Sequence, residues 1–247
     1  MTTEPPLQFL SLAFPPKGAV RVHPEPAALP RLRREGPGRN RFDDPAGIFT
    51  VRYAGDTIHG CLVETMARFR PHPETESILV AIAGVNESDI LEPAYADPGL
   101  GVAEWLTQQH VGRLEITSAT PLLVDVEHAP MLDALDAHPD VRTALDHSGL
   151  DAPDEPARLD AGIIRLSGPV GRPISQAVSR AIYEWINGVD GIGYWSRLDS
   201  TERCWAVYDH APVRVEVVAL DPHDAGHKKA VASVAMRYGI PLPKNWR

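Results

Sequence analysis

The 247-residue sequence is poor in several features that would identify a class of protein at once. It has two cysteines, Cys61 and Cys204, both in apolar surroundings, which predicts two buried thiols and argues against a disulfide framework. No apolar run approaches the ~18 residues of a membrane-spanning helix. The apolar segment Leu7–Phe14 is short and follows Glu4 rather than a basic residue, so we expect no signal peptide and a cytoplasmic protein.

Positive charge is also scarce. The 24 Lys and Arg residues stand against 33 Asp and Glu, which gives a net charge of −9 at pH 7. This balance argues against a general binder of nucleic acid or of an anionic membrane. The exception is the stretch 21–41, which holds six arginines, at positions 21, 31, 33, 34, 39 and 41. Such a cluster is typical either of an anion site or of a solvated loop, and composition does not choose between them.

Common catalytic motifs are missing from the sequence as well. It contains no Walker A sequence, no Gly-x-Gly-x-x-Gly, no His-Glu-x-x-His and no Gly-x-Ser-x-Gly. His223 and His227 are spaced to share one helical face, but no third ligand is evident, so we expect no metal. A nucleophilic serine would need a base and an oxyanion site, and no pattern designates them.

The remaining pattern predicts an α+β fold with a mixed β-sheet core and flanking helices. The 24 prolines predict many loops, including residues 23–38. Runs rich in β-formers predict strands over 18–22, 48–54, 77–83, 114–116, 122–126, 192–196, 204–208 and 213–220. Helices are predicted after Asp56 as N-cap, over 102–109, 131–135 and 141–147, from Pro173 to about Gly188, and after Asp224 as N-cap, with Gly239 ending the last one.

The stretch Arg39–Glu64 brings a basic loop, a short strand, a turn and a helix into one unit. Apolar residues line one face of the helix, and Glu64 lies off that face, so its carboxylate points either to solvent or across a cleft. Cationic groups, an aromatic ring and a glutamate in one unit suit an anionic ligand whose reaction develops positive charge. The alternative is that the arginines are surface residues paired with nearby acids, with Tyr53 in the core and Glu64 solvated.

Several short motifs, in their order along the chain, resemble the RES domain, a family named for its Arg, Glu and Ser residues. They are Val20-Arg21-Val22, Asn40-Arg41-Phe42, Gly47–Ala54 with Tyr53, Cys61-Leu-Val-Glu64, Gly191–Ser196 and Cys204–Tyr208. The resemblance spans roughly residues 18–220. Asn40 departs from it, because many members have glycine at this position.

The resemblance implies a fold similar to diphtheria-toxin-like ADP-ribosyltransferases. It also implies an enzyme that consumes NAD⁺ by phosphorolysis or hydrolysis, with inorganic phosphate as a candidate co-substrate, or that transfers ADP-ribose to a protein. It further implies a toxin of a bacterial type II toxin–antitoxin pair, with an Xre-type antitoxin that covers the active site. A non-catalytic nucleotide-binding module is the alternative, and a homodimer is a further expectation.

The resemblance also implies roles for five residues. Arg21 and Arg41 would bind the pyrophosphate of NAD⁺, since guanidinium groups match phosphate oxygens bidentately. Glu64 would stabilise the cation that develops on the ribose, and we expect catalysis to depend on Glu64, Arg41 and Ser196. Tyr53 would stack on a ring or bond a phosphate, and Ser196 would bond the ribose or the nicotinamide.

The chain divides accordingly into an N-terminal arm over 1–17, a RES-like catalytic domain over 18–220, and a C-terminal helix and tail over 221–247. Within the domain, the acidic segment 127–160 contains weak helical patterns, and we interpret it as an insertion, a lid or, more simply, a solvated loop. Both this segment and the tail look long for a compact toxin.

Overall fold

A computed structural model describes residues 12–24, 40–70, 101–151 and 156–247. The predicted strand 77–83, most of the arm 1–17 and four of the six clustered arginines lie outside these ranges. Within them the chain forms seven strands: β1 Ala19–His23, β2 Val51–Gly55, β3 His110–Ile116, β4 Leu123–Asp125, β5 Gly191–Trp195, β6 Arg203–Tyr208 and β7 Val213–Ala219. It also forms seven α-helices: α1 Ile58–Met66, α2 Val102–Gln108, α3 Ala129–Asp136, α4 Pro139–Asp146, α5 Ala161–Arg165, α6 Gly168–Trp185 and α7 Ala225–Tyr238.

The strands form one sheet in the order β4-β5-β6-β2-β1-β3-β7, and this confirms the predicted α+β class. All neighbours are antiparallel except β4 and β5, which are parallel. The order interleaves early and late strands, so the sheet depends on contacts between residues far apart in sequence.

The sheet consists of two halves that are joined weakly. The larger half is β4-β5-β6-β2 and the smaller half is β1-β3-β7. Each half is paired along its strands, with five residue pairs between β2 and β6 and five between β1 and β3. Between the halves, β1 and β2 pair only at Val20 and Gly55, so the two strands diverge beyond that point.

Helix α1 covers this junction and connects the two halves. Its Cys61 Sγ donates to the backbone oxygen of Val20 on β1 at 2.9 Å. On the other side, its N-cap Thr57 donates to Glu202, which lies just before β6, at 2.7 Å. Leu62 and Met66 of α1 are fully buried in a cluster shared with α7. The junction is therefore stabilised by a helix more than by strand pairing.

Most predicted elements are present, and three expectations need correction. Thr57 rather than Asp56 caps α1, because its hydroxyl accepts the Gly60 N–H at 2.9 Å. Helix α6 begins at Gly168 and includes Pro173, so the proline lies inside the helix and does not start it. A proline in the second turn removes one backbone hydrogen bond, and the buried apolar face of α6 compensates for that loss.

The acidic segment 127–160 is the third correction, because a solvated loop is the wrong description of residues 127–151. They form α3 and α4, whose apolar residues are buried in the same cluster as α6. These buried residues are Met131, Leu132, Leu135, Val141 and Leu145. The acidic side chains occupy the outer faces of two amphipathic helices, which explains why composition alone suggested a loop.

Candidate functional site

Glu64 lies in the last turns of α1 and does not point freely into solvent. The apolar side of the helix, including Leu62, Val63 and Met66, is buried and fixes the rotation of the helix about its axis. Glu64 is half-buried on another side and accepts a hydrogen bond from Ser196 at 2.5 Å. The carboxylate is therefore directed at the residue that follows β5 and not simply into solvent.

Ser196 follows β5 directly and is only 1% exposed. Its hydroxyl oxygen accepts the backbone N–H groups of Leu198 and Asp199, each at 3.1 Å. The backbone N–H of Ser196 donates to the backbone oxygen of Glu202 at 2.9 Å, and this bond closes the turn between β5 and β6. With two donors on its oxygen, the hydroxyl has its hydrogen directed at the Glu64 carboxylate.

This arrangement makes Ser196 a residue that orients a carboxylate. The Ser196 oxygen already accepts two hydrogen bonds and so is not presented as a nucleophile. Oε1 of Glu64 is held by the serine, and in the described part of the chain Ser196 is its hydrogen-bond partner. No described residue donates a hydrogen bond to Oε2.

The turn that carries Ser196 is attached to the N-terminus of α1 by Glu202. The Glu202 carboxylate accepts from Thr57 Oγ1 at 2.7 Å and lies 3.1 Å from His59 Nδ1. A Cβ added at Gly60 would lie 2.6 Å from Glu202 Oε2, so a side chain at this position would displace the Glu202 carboxylate. The same helix thus positions the glutamate and holds the turn of its serine partner.

Arg41 is a buried cation, with 7% of its surface exposed. Its guanidinium carbon lies 5.1 Å from the ring centroids of both Phe42 and Tyr194. Nη2 donates to the backbone oxygen of Ile164, whereas Nε is buried without a hydrogen-bond partner. Among the described residues, no carboxylate lies within 4.0 Å of this group. A buried cation without a carboxylate partner is costly unless an anion binds there.

The acids that could have neutralised Arg41 are engaged elsewhere. Asp43 accepts from the Asn40 side chain at 2.9 Å and from the Tyr53 hydroxyl at 3.1 Å. Asp44 pairs with Arg180 of α6 at 3.1 Å. The reading of Arg41 as a surface residue paired with a neighbouring acid is therefore wrong.

Tyr53 holds the loop that carries Arg41. Its hydroxyl accepts the Phe42 N–H at 2.8 Å and donates to Asp43, so both of its hydrogen-bonding functions serve the loop. From the other side, Gln176 and Ser179 of α6 donate to the backbone oxygens of Asn40 and Phe42. The geometry favours a positioning role for Tyr53, whereas the resemblance implied a direct contact with a ring or a phosphate.

Arg41 and Glu64 lie around the same pair of residues, Tyr194 on β5 and Cys204 on β6, which face each other across the strands. Burial raises the pKa of the Tyr194 hydroxyl and of the Cys204 thiol well above their usual values. On each group, Glu64 raises the pKa further and Arg41 lowers it, because both charges lie close by. In geometric terms, Arg41 lies over the ring of Tyr194, and Glu64 is hydrogen-bonded to Ser196 two residues further along the chain.

Arg21 is placed differently. On β1, Val20 and Val22 pack in the cluster with α1, so strand alternation directs Arg21 to the opposite face of the sheet. Its charge still influences Cys61, which lies at the junction between the two halves of the sheet. Burial raises the pKa of Cys61 to about 12, and among the weaker influences Glu64 raises that value while Arg21 lowers it. The structure therefore groups Glu64, Ser196, Arg41 and Tyr53, with Arg21 at the edge of the group.

The structure also describes the two cysteines and the histidine pair singled out in the sequence. Cys61 and Cys204 are both free and buried. His227 accepts the Asp221 N–H at 3.1 Å, and its own N–H is capped by Asp224, so the residue serves the start of α7. In the described ranges no three His, Cys, Asp or Glu side chains cluster as metal ligands would. No helix in these ranges is long and apolar enough to cross a bilayer.

Comparison with known families places the chain in one class. The model of the RES domain matches residues 19–227, which is most of the chain. The protein therefore belongs to the RES domain family, and this membership is consistent with a toxin-like function related to NAD. Searches of curated proteins and of solved structures each found no match.

Proposed function

We propose that the protein is an enzyme that cleaves the nicotinamide–ribose bond of NAD⁺, with phosphate or water as the incoming nucleophile. The observation that carries this proposal is the Ser196–Glu64 hydrogen bond beside the buried guanidinium of Arg41, which has no carboxylate partner in the described structure. A fixed carboxylate next to a binding group for anions suits a dinucleotide whose ribose becomes cationic.

The proposed reaction assigns one task to each group. As the C–N bond breaks, nicotinamide leaves with the bonding electrons, and the ribose acquires oxocarbenium character. Glu64, held by Ser196 through Oε1, presents Oε2 to the ribose and stabilises the developing charge. Arg41 donates through Nη1 to a phosphate oxygen, because Nη2 already binds the Ile164 oxygen and Nε is buried. Phosphate or water then adds at the anomeric carbon, giving ADP-ribose phosphate or ADP-ribose.

The toxin role and an Xre-type antitoxin as partner are part of the same proposal, and family membership supports them. An antitoxin that covers the site would block access to Glu64 and Arg41. Expression of the chain alone should then arrest growth, and co-expression of the cognate antitoxin should restore it. Harmless expression of a catalytically active chain would contradict the toxin role while leaving the enzymatic proposal standing.

The decisive experiment is release of nicotinamide from NAD⁺ by purified protein freed of any copurified partner, with and without inorganic phosphate. Release that depends on phosphate, together with formation of ADP-ribose phosphate, indicates phosphorolysis, and release in water alone indicates hydrolysis. NAD⁺ labelled in the adenine moiety should be followed in parallel. A label that appears on a polypeptide would instead favour ADP-ribosylation of a protein. No release under any of these conditions would refute the proposal.

A further inference from the structure

Helix α7 lies mostly beyond the part of the chain that defines the family. The family match ends at residue 227, within the first turn of this helix, which runs to Tyr238. Val231, Val234 and Ala235 are nevertheless buried, in the same cluster as Leu62 and Met66 of α1. The C-terminal helix therefore supports the helix that carries Glu64.

Two neighbouring residues at the end of α7 make polar contacts on either side of the Ser196–Glu64 pair. Arg237 donates through Nη1 to the Asp199 carboxylate and through Nη2 to the oxygen of Leu198, the latter at 2.7 Å. The Tyr238 hydroxyl donates to the oxygen of Val63 at 3.1 Å. Val63 is the residue before Glu64. Arg237 therefore contacts the turn that follows Ser196, which we call the serine turn, and Tyr238 contacts the backbone of α1.

The contacts of Arg237 fall on the part of the turn that orients the serine. Leu198 and Asp199 are the residues whose N–H groups bind Ser196 Oγ. Asp199 also accepts from the N–H and the hydroxyl of Thr201, so its carboxylate is a fixed point of the turn. Movement of these two residues would change the direction in which the Ser196 hydroxyl donates to Glu64.

We infer that the C-terminal end of α7 is a clamp on the Ser196–Glu64 pair, with Arg237 and Tyr238 as positioning residues. Arg237 holds the serine turn and Tyr238 holds the backbone beside the glutamate, and both do so from one rigid turn of helix. We assign neither residue a contact with the substrate. The expected loss of catalytic rate rests on the proposed function, whereas the expected loosening of the serine turn does not.

The test compares Arg237→Ala and Tyr238→Phe with Arg214→Ala. Arg214 is a matched control, because it also pairs a surface arginine with an acid, Glu115, but lies on β7 away from the turn. Tyr238→Phe keeps the ring, whose centroid lies 4.0 Å from the Arg70 guanidinium, and removes only the hydroxyl. For each variant, kcat and KM for NAD⁺, the melting temperature and amide hydrogen exchange over residues 197–203 are measured.

For Arg237→Ala we expect kcat to fall about tenfold with KM nearly unchanged, because a misdirected carboxylate affects the reacting centre more than binding. Exchange of the Leu198 and Asp199 amides should accelerate. Tyr238→Phe should lower kcat less, and Arg237→Lys should recover part of the loss, since an ammonium can bind Asp199 but does not match the two contacts of the guanidinium. Arg214→Ala should resemble the wild type in every measurement.

The exchange measurement separates this inference from the proposed function. If the wild type releases no nicotinamide, the proposed function fails, yet faster exchange at residues 198 and 199 in Arg237→Ala would still support the clamp. Exchange and kcat equal to those of Arg214→Ala would overturn it. A loss of kcat that only follows a general fall in melting temperature, with no local change in exchange, would also overturn it.

Discussion

The two halves of the sheet contribute very unequally to the candidate site. The larger half carries Tyr53, Tyr194 and the turn with Ser196, and the loop with Arg41 is hydrogen-bonded onto it. The smaller half contributes Arg21, which strand alternation assigns to the face opposite to α1. The halves meet at one residue pair, Val20 and Gly55, and α1 covers that junction. The chemistry is thus concentrated on one half and on the bridging helix.

This asymmetry suggests two different tasks. Groups on the larger half are fixed by many hydrogen bonds and are preorganised around Glu64, as a reaction with a charged intermediate requires. The position of Arg21 relative to them depends on the junction, where strand pairing is minimal. We therefore expect the larger half to control turnover and the smaller half to make a weaker contribution to substrate binding.

The largest effect should follow removal of the negative charge of Glu64, around which the groups of the larger half are arranged. Glu64→Gln keeps the size of the side chain but no longer stabilises a cationic ribose. We expect kcat for nicotinamide release to fall by about 10²–10³-fold, with a melting temperature close to that of the wild type. Glu104→Gln, an exposed acid on α2, is the matched control and should leave kcat unchanged. Turnover preserved in Glu64→Gln would remove this residue from the mechanism.

A smaller effect is expected when the two arginines, one from each half of the sheet, are replaced in turn and their KM values for NAD⁺ are compared. Arg41→Met removes the anion-binding group, and KM for NAD⁺ should rise about tenfold or more, the value of one hydrogen bond to a charged group. Stability should change little, because the loss of the hydrogen bond to Ile164 and of the ring contacts is offset by removal of a buried cation. Arg21→Met should raise KM by clearly less. Equal effects of the two substitutions in steady-state kinetics would contradict the unequal roles of the halves.

The junction itself can be weakened without touching the site. Cys61→Ala removes the hydrogen bond from α1 to the Val20 oxygen and a small buried side chain, so the free energy of unfolding should fall by about 1–2 kcal/mol. Urea denaturation measures this change. Val207→Ala, which shortens a buried side chain of the larger half in a different cluster from Tyr194 and Cys204, is the comparison. If the junction limits substrate binding, only Cys61→Ala should also raise KM.

The smallest effect concerns pH. The pKa of Cys61 is about 12 in the folded chain because of burial, compared with an ordinary value of 9.0. A raised pKa means that the folded state retains its proton, so this group's contribution to stability is complete below about pH 9 and decreases as pH rises towards 12. At pH 9 the loss is only about 0.4 kcal/mol. Wild type should therefore lose slightly more stability than Cys61→Ala between pH 7 and pH 9 in urea titrations, and identical losses would contradict the raised value.

Much of the local structure follows from the sequence because its signals are local. Asp224 caps α7 and Gly239 ends it in the left-handed conformation with φ of 66°, as their residue types predict. The alternation of apolar residues located most of the described strands to within a few residues. In the acidic segment 127–151 the predicted helices at 131–135 and 141–147 are confirmed. The interpretation of the whole segment as a solvated loop was wrong, because acidic composition does not show that one face of each helix is buried.

Contacts between distant parts of the chain could not be predicted in the same way. Ser196 and Glu64 are 132 residues apart, and Arg41 and the Ile164 oxygen are 123 apart. No local pattern encodes such pairings. Glu202 and Arg237 were missed for the same reason.

The sequence by itself determined the family, the fold class and the residue types of the candidate site, because these follow from ordered motifs and from local periodicity. Only the tertiary structure decided which residues act together. It directed the Ser196 hydroxyl at Glu64, left Arg41 buried without a carboxylate partner among the described residues, and placed Arg21 across the junction. The reason is physical: strand register and helix packing set the directions of side chains, and both arise from burial of apolar surface between segments far apart in the chain.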